Sequence, residues 1–337
     1  MINKKPTFID LFSGAGGLTE GFLNAGFKCL ACFENWEPAI LTHNHNYPNI
    51  KLITKDIRKL NKKDLISNKI KKVDVIIGGP PCQGFSTIGK RKNNDFRNSL
   101  IYEFARIVNL LKPKIFLMEN VRGLMSPKMN NIRSNFIKKL NNFGYTNIIS
   151  STLCAADYGV PQLRYRVFFL GTKMKKEIAF PAKTHSEENY EKIENFIRDL
   201  EKDTKKLSNH IPMKHNEIVK KRISFIPEGS GITKKIPKKY LKGSRSDFQN
   251  NSIKNFSHIY KRLHYKKPST TMVPGHNAFP LHPKLDRSLT VREAARIQSI
   301  PDKIKFFGTR QDQCILVGNA VPVLMAKKIA LNIKKQL

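Results

Sequence analysis

Phe8-Ile9-Asp10-Leu11-Phe12-Ser13-Gly14-Ala15-Gly16-Gly17 passes from a short apolar run straight into a glycine-rich turn. A run of this length, bounded by turn residues, reads as a buried strand, and the glycines after it open a helix. Gly14, Gly16 and Gly17 let the backbone turn tightly and approach a ligand, while the helix N-terminus favours an anionic group. Glu34 stands 20 residues beyond Gly14, at the end of the next apolar run, where a carboxylate is placed to bind ribose hydroxyls. A nicotinamide dinucleotide competes for such a loop. However, residue 19 is Thr, so the spacing is not G-x-G-x-x-G, and no hydride-transfer site accompanies it.

Outward from this stretch, Cys29–Phe33, Val73–Ile77, Ile115–Met118 and Val167–Leu170 repeat the short apolar pattern of a buried strand. Between them, 98–111 carries Ile101, Phe104, Ile107, Val108 and Leu111 on one helical face. Alternating strands and helices predict an α/β fold with a mostly parallel sheet covered by helices. The pattern breaks near Lys175. From there to about Lys284 the chain is lysine-rich and weakly periodic, as in a second, irregular domain. Regular signals return with Thr290-x-x-Glu293, a capping box that opens a helix through Ser299, and with Pro322 in the first turn of a helix over 321–333. The expected division is 1–175, 176–286, and 287–337 returning to the first domain.

The 337 residues give room for two domains, and 40% hydrophobic content is ordinary for a globular core. No apolar N-terminal region and no uninterrupted apolar run near the ~20 residues of a membrane span is seen, so a cytoplasmic protein without membrane contact is expected. The 61 Lys and Arg against 26 Asp and Glu leave a net charge of +35, which points to a polyanionic partner and foremost to nucleic acid. Five scattered cysteines suit a reducing compartment. Cys29-x-x-Cys32 is half a zinc knuckle without a second pair, so buried strand thiols, and no metal, are expected. His43-Asn44-His45 has no supporting acidic cluster and reads as helix surface.

Four features fall where parallel strands end, the edge at which such sheets bind ligands. They are the glycine loop, Glu34, Gly78-Gly79-Pro80-Pro81-Cys82-Gln83 and Glu119-Asn120-Val121. A thiol behind two prolines is displayed rather than packed in a core. At an ordinary pKa of about 8.5 it needs a positive field or a helix N-terminus to raise its thiolate fraction.

In this order, with Asp56-Ile57, Gln162-Leu163-Arg164-Tyr165-Arg166, the stretch from Arg287 to Pro301 and Gly318-Asn319-Ala320-Val321, the motifs resemble the DNA (cytosine-5)-methyltransferase family, especially bacterial enzymes of restriction–modification systems. The resemblance implies a Rossmann-like methyltransferase domain that uses S-adenosylmethionine, with a target-recognition domain in the lysine-rich region. It implies Cys82 as the nucleophile that adds to carbon 6 of cytosine, Glu119 as the acid at N3, Arg166 at the O2 edge, and Arg164 supporting the catalytic loop or a phosphate. Cofactor contacts carry over to Phe12, Gly14, Gly16, Gly17, Glu34, Asp56, Pro81, Leu100, Asn319 and Val321. Asn35 departs from the large apolar residue usual after the glutamate, so Trp36 is not carried over as a contact.

Double-stranded DNA is the implied partner, with the target base rotated out of the stack. Gln83, Ser86, Lys90, Arg91 and Arg97 are the DNA contacts expected on a basic loop that closes over it. Thr271 resembles a phosphate-touching threonine, and Arg245, Lys261, Arg262 and His264 are candidates for base or backbone contact. A paired restriction endonuclease and a monomeric state are expected. A tRNA-modifying branch shares the motifs, but its Cys-Phe-Thr tripeptide does not occur here. A non-catalytic DNA-binding relative would not need Cys82, Glu119 and Arg166 together.

Overall fold

The computed structural model describes residues 5–81, 100–202, 207–232, 236–241, 259–273 and 279–337. The chain runs through β1 (Thr7–Leu11), α1 (Gly17–Asn24), β2 (Lys28–Phe33), α2 (Glu37–Asn46), β3 (Leu52–Ile53), α3 (Lys62–Ser67) and β4 (Val75–Gly78). It continues with α4 (Leu100–Leu111), β5 (Ile115–Val121), α5 (Asn130–Asn142), β6 (Asn147–Cys154), β7 (Gln162–Leu163) and β8 (Tyr165–Thr172). The remainder contains α6 (Glu194–Ile197), α7 (Glu217–Ser224), α8 (Lys238–Leu241), β9 (Ser269–Thr270), α9 (Val291–Ile297), α10 (Arg310–Asn319) and α11 (Val323–Gln336).

Seven strands form one sheet in the order β3-β2-β1-β4-β5-β8-β6, in which β8 alone runs against the others and so pairs antiparallel with both β5 and β6. The expected α/β architecture is thus present. Its strands are apolar on both faces because helices cover both. Ile9, Ile76, Phe116 and Met118 face a core completed by Phe104, Ile107 and Val108 of α4 and Phe136 and Leu140 of α5. Phe8, Val75, Ile77, Ile115 and Leu117 alternate onto the other face, against Phe22 of α1 and Met325, Ile329 and Ile333 of α11. The first helix is therefore closed over by α11.

A third core joins α2, α6, α9 and α10 through Ala39, Tyr47, Ile193, Ile197, Leu289, Ala294, Ile297, Leu316 and Val317. The capping box of α9 forms as expected: Glu293 N donates to Thr290 Oγ1 at 3.1 Å and Thr290 N to Glu293 Oε2 at 2.7 Å. Pro322 is the N-cap of α11 rather than part of its first turn. The stretch Arg310–Gln336 has the length and apolar content to cross a membrane, a property that counting uninterrupted apolar runs passes over. It divides into α10 and α11, and 67% of its most apolar window is buried.

Within the lysine-rich region, Ile223, Ile226, Ile236 and Leu281 make a small core of their own. Arg262 is 4% exposed at its centre, donating to the carbonyls of Ile223, Ile226, His282 and Leu285 and to Asp286. Its donors are committed to this interior, which corrects the expectation that it contacts DNA. His43 also departs from expectation. It is buried, its Nε2 lies 3.1 Å from Ile50 O and its ring is beside Cys32, whereas His45 is on the surface as expected.

Candidate active site

The carboxyl ends of β1 and β2 build one half of the rim. Phe12, first beyond β1, takes a left-handed φ of 63°, a conformation that L side chains hold only when their surroundings impose it. Gly14 has φ 53° and would meet nothing within 4 Å if it carried a Cβ, so the space on the side-chain side of its Cα is open. That amide donates to Glu34 Oε2 at 2.9 Å, and Glu34 Oε1 accepts from Asn35 N and Trp36 N at 2.8 and 3.0 Å. Glu34 thereby ties the two loops together beside the opening. Gly17 has a different reason to be glycine: a Cβ there would lie 2.2 Å from Val321 O, at the close contact of α1 with the start of α11.

Val321 is buried in that contact, while Asn319, the last residue of α10, is exposed. Leu100 opens α4 and packs on the core of the sheet. Asp56 caps the turn after β3 and is bound by Arg58, Oδ2 to Nη2 at 2.5 Å, which holds its carboxyl below the usual pKa. The aromatic ring of Phe12, the space at Gly14 and the carboxylates of Glu34 and Asp56 suit a nucleoside.

The other half of the rim comes from β4, β5 and β8. Pro80 and Pro81 follow β4, and Asn120 Nδ2 donates to Pro80 O at 3.2 Å while Val121 N donates to Asn120 Oδ1 at 2.8 Å. Asn120, the middle residue of the Glu119-Asn120-Val121 motif, thus anchors the proline loop. Glu119 is 8% exposed, and its Oε1 lies 2.9 Å from Arg166 Nε. The pairing follows from register: β8 runs antiparallel to β5, with Arg166 opposite Val121 and therefore near Glu119. A Cβ on Gly79 would come within 3.0 Å of Glu119 Oε2, so this glycine leaves room for the carboxyl. Burial raises the Glu119 pKa against the opposing pull of Arg166 and Arg164, and burial likewise lowers that of Arg166. The arrangement can hold a protonated carboxyl beside a cation in an enclosed setting.

Arg164 is fully buried, and its Nη1 and Nη2 donate to Met272 O at 3.2 Å and Gly318 O at 2.7 Å. It is not presented to a phosphate; it clamps three distant segments behind the site. Next to it, β7 pairs with β9, and the Thr271 hydroxyl donates to Leu163 O at 2.8 Å. Its one O–H proton is thus used inside the protein, and a bond from it to a phosphate would have to displace that contact. Cys82, Gln83, Ser86, Lys90, Arg91, Arg97 and Arg245 lie outside the described residues.

Residues 6–335 match the family model for C-5 cytosine-specific DNA methylases. The chain is 38% identical to the type II methyltransferase M1.HphI of Haemophilus parahaemolyticus, over 98% of this chain and 87% of that protein. With the type II methyltransferase M.DdeI of Desulfomicrobium norvegicum it shares 35% identity, over 96% and 88% of the two chains. Among solved structures, one described as a DNA modification methyltransferase encoded within an E. coli prophage superposes with a TM-score of 0.73 at 27% identity, covering 98% of this chain and 99% of that one. Dnmt2 of S. pombe, at 18% identity and a TM-score of 0.65 over 98% and 99% of the chains, shares the fold.

Proposed function

The chain belongs to the C-5 cytosine-specific DNA methylase family, and from that membership we propose that it modifies one cytosine within a defined duplex sequence through a covalent bond from Cys82 to carbon 6, with the base rotated out of the helix. It is a DNA (cytosine-5-)-methyltransferase. The observation that carries the mechanism is the enclosed Glu119–Arg166 pair beside the Pro80-Pro81 loop, because Cys82 follows Pro81 directly in the chain.

Addition of the Cys82 thiolate to carbon 6 breaks the C5–C6 double bond and pushes electron density onto the ring. Glu119 supplies a proton to N3, and Arg166 stabilises the charge growing on the O2 edge. Carbon 5 becomes enamine-like and able to accept a methyl group. Once carbon 5 is methylated, a water molecule takes its proton, the electron pair re-forms the C5–C6 double bond as the C6–S bond breaks to release the Cys82 thiolate, and the N3 proton returns to the Glu119 carboxylate. S-adenosylmethionine, when bound, supplies the methyl group in electrophilic form. Phe12, Gly14, Glu34, Asp56, Pro81, Leu100, Asn319 and Val321 would hold it, with Gly16 and Gly17 shaping the turn. Gln83, Ser86, Lys90, Arg91, Arg97 and Thr271 are the proposed DNA contacts. The relatives carry the name type II methyltransferase; on that likeness the reading extends, for this chain, to a restriction–modification system with a paired endonuclease and to a monomer acting in the cytoplasm.

Incubation with tritiated S-adenosylmethionine should label duplex DNA, and Cys82→Ala should abolish the label. Labelling of tRNA alone would overturn the substrate assignment. A duplex carrying 5-fluorocytosine at the target should trap the protein covalently, since fluorine blocks the final elimination; turnover without trapping would refute the adduct.

A further inference from the structure

The edge of the sheet opposite the Glu34–Glu119 rim is lined with lysines at the start of strand after strand. Lys5 precedes β1, Lys28 opens β2, Lys51 precedes β3, Lys71 and Lys72 precede β4, and Lys112 and Lys114 precede β5. Lys173 follows β8, whose antiparallel course brings its end to the same edge. Lys5, Lys28, Lys69, Lys71 and Lys72 are exposed and surround a hollow of about 540 Å³. Among the described residues none of these five pairs with a carboxylate. Asp74, beside them, is already held by Thr7 and by Lys114 at 3.0 Å. Burial, together with the like charges of Lys112 and Lys72, pushes the Lys173 ammonium below its ordinary pKa.

We propose that this edge is a second duplex-binding surface, gripping the phosphate backbone of a DNA segment other than the one engaged at the catalytic edge. Six strands from β3 to β8 at ~4.8 Å spacing make the row about 24 Å wide, and a duplex presents roughly 14 phosphate charges over that length. Flexible ammonium groups suit phosphates without reading bases. The strands themselves, about 16 Å long at ~3.3 Å per residue, separate the two edges, so a straight duplex on one does not reach the other. Holding two segments at once lets the enzyme pass between them while it searches for its target. The inference requires that the partner be DNA but not that Cys82 act as nucleophile.

Sedimentation of the full chain with a dye-labelled 16-bp duplex of arbitrary sequence tests this at low salt. The wild type should saturate at two duplexes per chain, and a Lys5→Gln, Lys28→Gln, Lys71→Gln, Lys72→Gln variant at one. The same variant should methylate short DNA fragments at the wild-type rate, and arginine at the four positions should restore the second duplex. Each single Lys→Gln change should lower the log–log salt slope of the second site by about 1. Saturation of the wild type at one duplex, or of the glutamine variant at two, would overturn the proposal. So would saturable binding of inorganic tripolyphosphate in the hollow without a second duplex, which would make it a small-anion site.

Discussion

At the scale of single residues, the opposed shifts of Glu119 and Arg166 set a pH dependence. Burial raises the Glu119 pKa, so the protonated acid survives to higher pH than an ordinary carboxyl, and methyl transfer should fall as pH rises through that value. Arg166 pulls the same pKa down. Arg166→Ala should therefore lower the rate but move the alkaline limb to higher pH, while Glu119→Gln should lower the rate by roughly 10²–10⁴ and remove that limb. Single-turnover rates against pH distinguish the two. A shift of the limb to lower pH in Arg166→Ala would mean that the ion pair is not what sets the titration. Asn120 acts one step further back, since its side chain touches Pro80 O rather than a reacting atom.

At the scale of elements, the contact of α1 with the start of α11 depends on a missing methyl group. Gly17→Ala would force a carbon to within 2.2 Å of Val321 O, a backbone atom that cannot rotate away. Thermal unfolding should show a loss of about 1–3 kcal/mol, the usual cost of overpacking, and an unchanged Tm would show that the helices part freely. The elements legible in the sequence were those with strong periodicity. β1, β2, β4, β5 and β8 were found within two or three residues at each end, as were α4 and the capped α9. β6 was missed because Ser150, Ser151 and its other half-exposed residues dilute the apolar pattern. α5 was missed because it buries only Phe136 and Leu140. At the site, Glu34 and Glu119 could be placed by strand ends, but the inward turn of Arg164, Arg262 and His43 depends on long-range partners that local spacing does not reveal.

At the scale of the whole molecule, acid stability should carry the mark of one buried ring. His282 Nδ1 accepts from Lys284 N and Leu285 N, and burial depresses its pKa from 6.5 to about 4. The unfolded chain takes up a proton near pH 6.5 that the folded chain refuses. The ring's contribution is therefore intact above about pH 6.5 and is lost progressively toward pH 4, by roughly 3 kcal/mol at ~1.4 kcal/mol per pH unit. His282→Asn keeps an acceptor for the two amides without the titration, so urea unfolding should show a flatter profile over that range; parallel profiles would exclude the ring as the cause. The closure of α1 by α11 has a further consequence during synthesis. A nascent chain from which Val323–Gln336 has not yet emerged lacks Met325, Ile329 and Ile333 from the core that holds Phe8 and Phe22, although every parallel strand is already made. Until that segment clears the ribosome, the apolar side of the sheet that it covers is open to non-native contacts.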